Sequence, residues 1–166
     1  ADSTRFSQIR TGDIKMKVNT KAYGLIDVDQ RQKIHFPSGI LGFENLKNYV
    51  LLDALQQPFY WLQSMDVQEI AFVLIEPYIF RPDYSPDVST SELEEVQLSP
   101  DSTDNMLVFT IVTIPEEQRD MTANLQGPII INRNLHIGRQ CISENENWKT
   151  RHKIMEELSQ VRNSAC

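Results

Sequence analysis

Apolar and polar residues alternate along much of the chain, and this pattern predicts a series of short β-strands. Met16, Val18 and Thr20 alternate with polar neighbours, and Ile34 and Phe36 repeat the pattern farther on. A period of two is typical of strands that bury one face. Runs of β-branched and aromatic residues predict further strands. These runs are 25–28, 49–52, 59–64, 70–76, 129–131 and 136–143. The runs 59–64 and 70–76 are expected to pair as a hairpin.

The most apolar run, 106–114, is apolar on both faces and therefore predicts a central strand. A polar loop separates it from the segment 121–132. Pro128 lacks a backbone donor, so a second strand is expected to begin just after it. Asn124 and Asn132 bracket the segment with side chains that can bond nearby backbone groups. We interpret the segment as a structural element in which the chain turns and a second strand returns beside the first.

Two short helices are expected among the strands. Ser89 and Glu92 have the spacing of a capping box, which predicts a helix over 90–98. Thr150 is expected to cap a last helix, whose apolar positions recur at Ile154, Leu158 and Val161. Together these elements predict a mainly β fold, an antiparallel β-barrel-like single domain with two short helices.

The chain has 166 residues, the length of one domain. We assign 16–158 to the barrel domain and 159–166 to the end of the last helix and a tail. Residues 1–15 have no clear period and are interpreted as a flexible N-terminal extension or a tag remnant. They lack the apolar stretch of a signal peptide, and no run approaches the ~20 apolar residues that cross a bilayer. A disulfide between Cys141 and Cys166 is possible, but free thiols in a cytoplasmic protein are the simpler interpretation.

Residues 36–43, Phe-Pro-Ser-Gly-Ile-Leu-Gly-Phe, combine loop-forming and apolar residues. Gly39, Gly42 and the proline indicate a shaped loop and exclude a helix. The loop is too apolar to stay free in solvent, so we expect it to pack onto the body of the domain. Its apolar residues after the proline are Ile40, Leu41 and Phe43.

The net charge of −7 makes direct binding to nucleic-acid phosphates a poor expectation. An acidic surface either keeps the protein soluble or suits a basic protein partner. Acidic residues are frequent between Arg81 and Arg119, where no Lys or Arg occurs. They include Asp83, Asp87, Glu92, Glu94, Glu95, Asp101 and Asp104. We expect Tyr84, in the exposed-looking loop 80–88, to serve as an apolar anchor for that partner.

No motif for catalysis or metal binding is visible. The three histidines, His35, His136 and His152, lie far apart and without ligand spacing. No nucleophile elbow, P-loop or dinucleotide fingerprint occurs, so we predict a protein that is not an enzyme and holds no metal or cofactor. Two alternatives stay open: a carboxylate-dependent hydrolase that uses Asp83 with Glu92 or Glu94, and a nucleic-acid-binding β-barrel.

Four motifs in order extend this interpretation: 36–43, Pro-Phe-Tyr-Trp-Leu-Gln-Ser at 58–64, Pro-Asp-Tyr at 82–84, and Met-Thr-Ala-Asn-Leu-Gln-Gly-Pro-Ile-Ile-Ile-Asn at 121–132. With Thr-Arg-His at 150–152, the set resembles the flagellar assembly factor FliW of bacteria, from about residue 16 to 157. The family usually has Ala where this chain has Gly127, which suggests a looser loop.

The resemblance implies a non-enzymatic, cytoplasmic β-barrel-like protein with two alternative protein partners. One is flagellin before its export, and the other is CsrA, a small RNA-binding translational repressor that is antagonised when bound. The predicted partner-binding residues are Phe43, Asp83, Tyr84, Asp87, Glu92, Glu94 and Glu95. The predicted structural residues of the motifs are Gly39, Gly42, Trp61, Gln63, Asn124, Pro128 and Asn132.

Overall fold

A computed structural model describes residues 15–101 and 103–164 of the chain. The extension predicted at 1–15 lies outside this range apart from Lys15, which begins the first strand. Cys166 also lies outside it, so the disulfide alternative stays untested. Within the described ranges, no helix is both long and apolar enough to cross a membrane.

Seven strands close into a β-barrel, which confirms the predicted fold class. They are β3 (Lys33–His35), β4 (Asn48–Asp53), β5 (Tyr60–Ser64), β6 (Ala71–Ile75), β7 (Met106–Thr113), β9 (Ile129–Asn132) and β10 (Ile137–Gln140). Their order around the barrel is β7-β6-β5-β4-β3-β10-β9, and β9 pairs with β7 to close it. The pairings are antiparallel except between β3 and β10, which run parallel with Ile137 opposite His35.

Two further pairs of strands and two helices surround the barrel. Strands β1 (Lys15–Thr20) and β2 (Gly24–Asp29) form a separate antiparallel hairpin. Strand β8 (Thr122–Ala123) pairs with the end of β7, and β11 (His152–Lys153) pairs with β8. The helices are α1 (Thr90–Glu95) and α2 (Ile154–Ser164).

The central position predicted for 106–114 is confirmed, because β7 pairs with β6 on one side and with both β8 and β9 on the other. Leu107 and Phe109 point into the barrel, whereas Val108 and Val112 point outward. The outward side chains are covered by a second apolar layer that includes Phe80, Leu93, Trp148 and Ile154. Two buried faces explain why this strand lacks polar alternation.

A third apolar cluster lies beneath the β1–β2 hairpin. Val18 and Val28 pack there against the outward side chains of β4, Val50 and Leu52. Trp61 on β5, one of the predicted structural residues, is half-buried in the same cluster. The alternation along β4, with Tyr49 inside and Val50 outside, places one face in the barrel and the other under the hairpin.

Two helix boundaries differ from the prediction. Helix α1 ends at Glu95 instead of continuing to residue 98, since Gln97 takes a positive φ of 59°. Helix α2 begins at Ile154, and Thr150 does not start it. The reason is tertiary: His152 and Lys153 pair with Ala123 and Thr122 as strand β11, so the helix starts only after that pairing ends.

Candidate functional site

Helix α1 presents the acidic residues that the sequence singles out, and a capping box fixes its start. The Ser89 hydroxyl accepts a hydrogen bond from the Glu92 amide at 3.2 Å, and Glu92 accepts one from the Ser89 amide at 3.4 Å. The other Glu92 oxygen accepts from the Ile142 amide at 2.9 Å. Glu92 is therefore a structural residue that joins the helix start to the chain beyond β10.

The negative charges of α1 are partly compensated by Arg139, which lies far from α1 in the sequence. Arg139 on β10 forms an ion pair with Glu95 and lies 3.7 Å from a Glu92 oxygen. The Ser38 hydroxyl also donates to Glu95 and accepts from Arg139 at 3.3 Å. The interpretation that this acidic segment lacks a compensating cation is wrong, because the fold supplies one from another strand. Glu94 is exposed and makes no ion pair among the described residues.

The loop 36–43 packs onto the barrel as predicted. Phe36 and Ile40 are buried in the barrel interior, and Phe43 makes an edge-to-face contact with Phe72 at 5.3 Å between ring centroids. Phe43 stays half-exposed. The Leu41 amide donates to the Gln140 side chain at 3.0 Å, and the Leu41 side chain is 57% exposed.

These contacts bring the loop, α1 and β10 together into one surface, which we call the α1–β10 face. In the sequence, the loop and the acidic helix are separate regions about fifty residues apart. The face combines acidic and apolar groups around Arg139, and its exposed apolar members are Leu41 and Ile142. Its defining residues are Ser38, Leu41, Glu94, Glu95, Arg139 and Ile142. Ser38, Leu41, Arg139 and Ile142 have no sequence signal that marks them as members of one site.

Asp83 and Asp87 contact other parts of the structure. Asp83 forms a bidentate pair with Arg81, at 2.9 and 2.8 Å, and this guanidinium lowers the pKa of the Asp83 carboxyl. Arg81 also binds Glu157 of α2 at 2.9 Å. Asp87 accepts from the Asn145 side chain at 2.8 Å. The predicted acidic group is therefore divided among α2, the 143–147 segment and β10.

Tyr84 is buried, so its expected role as an exposed anchor is wrong. Only 4% of the residue is exposed, and its hydroxyl donates to the Leu125 carbonyl at 2.7 Å. Its ring packs against Trp148, with 4.8 Å between centroids. The loop looks exposed because prolines and acids surround Tyr84 in sequence, yet the aromatic side chain turns inward to the outer apolar layer.

The polar side chains of the segment 121–132 make hydrogen bonds of the kind that a structural role requires. The Asn124 side-chain oxygen accepts from the amides of Gln126 and Gly127 at 3.1 and 2.9 Å. Asn132 donates to the Val96 carbonyl at 2.9 Å, which ties β9 to the end of α1. The Pro128 carbonyl accepts from the Cys141 amide at 2.8 Å.

Gly127 lies in a compact part of this segment, which contradicts the looser loop suggested by its small size. A methyl group there would lie 2.9 Å from Gln140 Nε2 and 3.0 Å from Asn124 Nδ2. The two amides fill the space that an alanine would occupy.

The hydrolase alternative uses Asp83 with Glu92 or Glu94. Asp83 pairs with Arg81, and Glu92 is engaged in the α1 cap. Burial raises the pKa of the Cys141 thiol to about 12, which keeps it protonated near neutral pH. In the described part of the chain, no three His, Cys, Asp or Glu side chains gather as a possible metal site.

Comparison with known proteins adds a consistent set of relatives. The family described as FliW protein matches residues 17–154. A flagellar assembly factor FliW from Treponema denticola is 41% identical over 144 residues, covering 87% of this chain and 97% of that protein. One from Leptospira biflexa is 41% identical over 150 residues, covering 89% and 97%. A crystal structure of the flagellar assembly factor FliW is 37% identical with a TM-score of 0.77, covering 84% of this chain and 96% of that one.

Proposed function

This chain belongs to the FliW family of flagellar assembly factors, and from that premise we propose that it binds flagellin and CsrA as alternative partners. In this proposal, CsrA bound to the protein cannot repress translation, and accumulating flagellin displaces it. Both partners are met in the cytoplasm, before flagellin is exported. The role is that of a protein-binding regulator without catalysis of its own.

The observation that supports CsrA binding is the composition of the α1–β10 face. It offers an exposed carboxylate, Glu94, beside the exposed apolar side chains of Leu41 and Ile142. An RNA-binding protein needs a basic surface to hold phosphates, so its charge is opposite to that of this face. Apolar groups ringed by polar groups are typical of the centre of protein interfaces. Leu41 and Ile142 therefore take the anchoring role that the buried Tyr84 does not fill.

We test the proposal with Glu94→Gln, because neutralising Glu94 breaks no ion pair among the residues that the structure describes. Glu92 and Glu95 are less informative, since both support the fold. Glu94→Gln should slow the association of CsrA by about two- to threefold at low salt and flatten its salt dependence, with a smaller effect on dissociation. Stopped-flow or surface plasmon resonance at two salt concentrations measures both rates.

Glu156→Gln is the matched control, since Glu156 is likewise an exposed helical carboxylate but lies on α2. It should leave the association rate of CsrA unchanged. Equal effects of the two substitutions would show that only net charge matters and would place the contact elsewhere. The titration is repeated with the protein preloaded with flagellin; simultaneous binding of both partners would contradict the alternative-partner mechanism.

A further inference from the structure

The two ends of the barrel are built differently. Strands β4, β6 and β9 start at the end that the loop 36–43 fills with Phe36 and Ile40. At the opposite end, where β3, β5, β7 and β10 begin, a concave cavity of about 280 Å³ opens between the strand termini. We call it the barrel mouth. It is lined by Arg31, Gln32, Ile34, Leu51, Asp53, Tyr60, Leu107, Ile131, Arg133 and His136.

The floor of the barrel mouth is apolar because inward-pointing strand residues reach it. Ile34 and Ile131 are buried there, whereas Leu51, Leu107 and Tyr60 are only partly covered. Leu107 and Ile131 are direct cross-strand partners, so β7 and β9 present a continuous apolar surface to the cavity. Apolar side chains left half-covered in a concavity gain stability when an apolar group covers them.

The rim of the barrel mouth carries charges of both signs, on Arg31, Arg133 and Asp53. Arg31 is paired with Asp29 at 3.0 Å, so its charge is locally compensated. Arg133 follows the end of β9, is exposed, and makes no ion pair within the described residues. Its guanidinium can hold a carboxylate through two parallel hydrogen bonds.

We propose that the barrel mouth binds a small apolar carboxylic acid, with its hydrocarbon body on the Leu107–Ile131 floor and its carboxylate on Arg133. The cavity volume of about 280 Å³ lies just below the range of about 300–1,000 Å³ typical of small-molecule sites. A ligand of about ten non-hydrogen atoms therefore suits it better than a larger molecule. This site is separate from the α1–β10 face and does not depend on the proposed partners.

Sodium octanoate is the probe, and 1-octanol is its uncharged counterpart of the same chain length. Binding is followed by methyl NMR of protein labelled at Ile and Leu, together with isothermal titration calorimetry. Octanoate should shift the methyl signals of Ile34, Leu107 and Ile131. It should bind at least about fivefold more tightly than 1-octanol, because only the acid reaches Arg133 with a charged group.

The variant Arg133→Gln removes the charge at an exposed position that the fold does not need. It should weaken octanoate binding by about fivefold or more and leave octanol binding unchanged. Arg151→Gln is the control, since Arg151 is another exposed arginine that does not line the mouth. The proposal is overturned if the mouth methyls do not shift at about 10 mM octanoate. It is also overturned if octanol binds equally well, or if Arg151→Gln weakens binding as much as Arg133→Gln does.

Discussion

At the scale of single residues, three amide side chains fix turns by bonding several backbone groups at once. Gln63 accepts from the Lys21 amide at 2.8 Å and donates to the Gln68 carbonyl at 3.0 Å, so it joins the β1–β2 turn to the β5–β6 turn. Asn132 accepts from the amides of Asn134 and Leu135 and donates toward α1. An amide suits this task because it offers both donors and acceptors.

Asn124 performs the same task in the 121–132 segment, and its removal should reduce stability. Asn124→Ala leaves the Gly127 amide without its acceptor, whereas the Gln126 amide keeps the Lys149 carbonyl at 3.1 Å, so the free energy of unfolding should fall by about 1 kcal/mol. Asn124→Asp keeps an acceptor oxygen and should recover most of the loss near neutral pH. Urea denaturation measures both variants. Full stability of Asn124→Ala with loss of partner binding would instead make Asn124 a contact residue.

Tyr49 shows the opposite case, a buried polar group with no partner. Its side chain is fully buried, and its hydroxyl has no hydrogen-bond partner among the described residues. Burial raises the pKa of Tyr49 to about 12, so the phenol stays neutral. Tyr49→Phe deletes the unpaired hydroxyl and should raise the free energy of unfolding by about 1 kcal/mol.

Tyr84→Phe is the matched comparison, because the Tyr84 hydroxyl is also buried but does have a partner, the Leu125 carbonyl. This substitution should lower the free energy of unfolding by about 1–2 kcal/mol. The two tyrosines should therefore respond with opposite sign in the same thermal or urea unfolding experiment. A similar loss in both variants would mean that Tyr49 does have a hydrogen-bond partner in solution.

At the scale of elements, the loop 36–43 owes its position to glycines inside and opposite it. Gly39 has a φ of +68°, and a Cβ atom there would lie 2.6 Å from the Glu44 Cα atom. Gly138 on β10 provides room for the Phe36 ring, since a Cβ there would lie 2.7 Å from the ring. The loop can therefore close the barrel end only while both positions lack a side chain.

Gly39→Ala should be among the most damaging single changes in the molecule. The new methyl group clashes with backbone atoms of Glu44, which cannot rotate away, and the positive φ adds backbone strain. The free energy of unfolding should therefore fall by more than about 3 kcal/mol. Gly42→Ala in the same loop is the control: its φ is +89°, but no atom lies within 4 Å of the new Cβ. Gly42→Ala should lower the free energy of unfolding by about 1–2 kcal/mol, because it adds backbone strain alone.

Differential scanning calorimetry measures the stability of both variants. Their difference gives the destabilisation caused by the clash at residue 39, since Gly42→Ala adds backbone strain alone. Near-equal losses would show that the loop 36–43 can move away from Glu44, and would contradict its role as a fixed closure of the barrel. The position of the loop is followed separately by methyl NMR. The signal of Ile40, which is buried in the barrel interior, reports whether the loop stays in place.

At the scale of the whole molecule, β10 connects the regions to which we assign functions. Its first residue follows His136 at the barrel mouth, and its third, Arg139, lies at the centre of the α1–β10 face. Its pairing with β3 is the parallel step in the barrel. The outer apolar layer and the β1–β2 hairpin cover other outward-facing parts of the barrel.

Most of the strands, the central place of β7 and the α1 capping box follow from local patterns in the sequence, and the same patterns predict a structural role for Asn124. These features depend on residues near one another in the chain, through side-chain period, backbone donors and short-range hydrogen bonds. Strands β8 and β11 have two residues each, too few for a period to be visible. The ordered motifs alone indicate the family.

Which side chains share a surface depends on the tertiary structure. Arg139 lies more than forty positions from Glu95 in the sequence, and Leu41 lies still farther from Gln140, yet both pairs are in contact. Tyr84 was misplaced because its local sequence is polar, while its burial depends on Leu125 and Trp148 from distant segments. Barrel closure sets these neighbours, and it is a long-range property that local periodicity cannot encode.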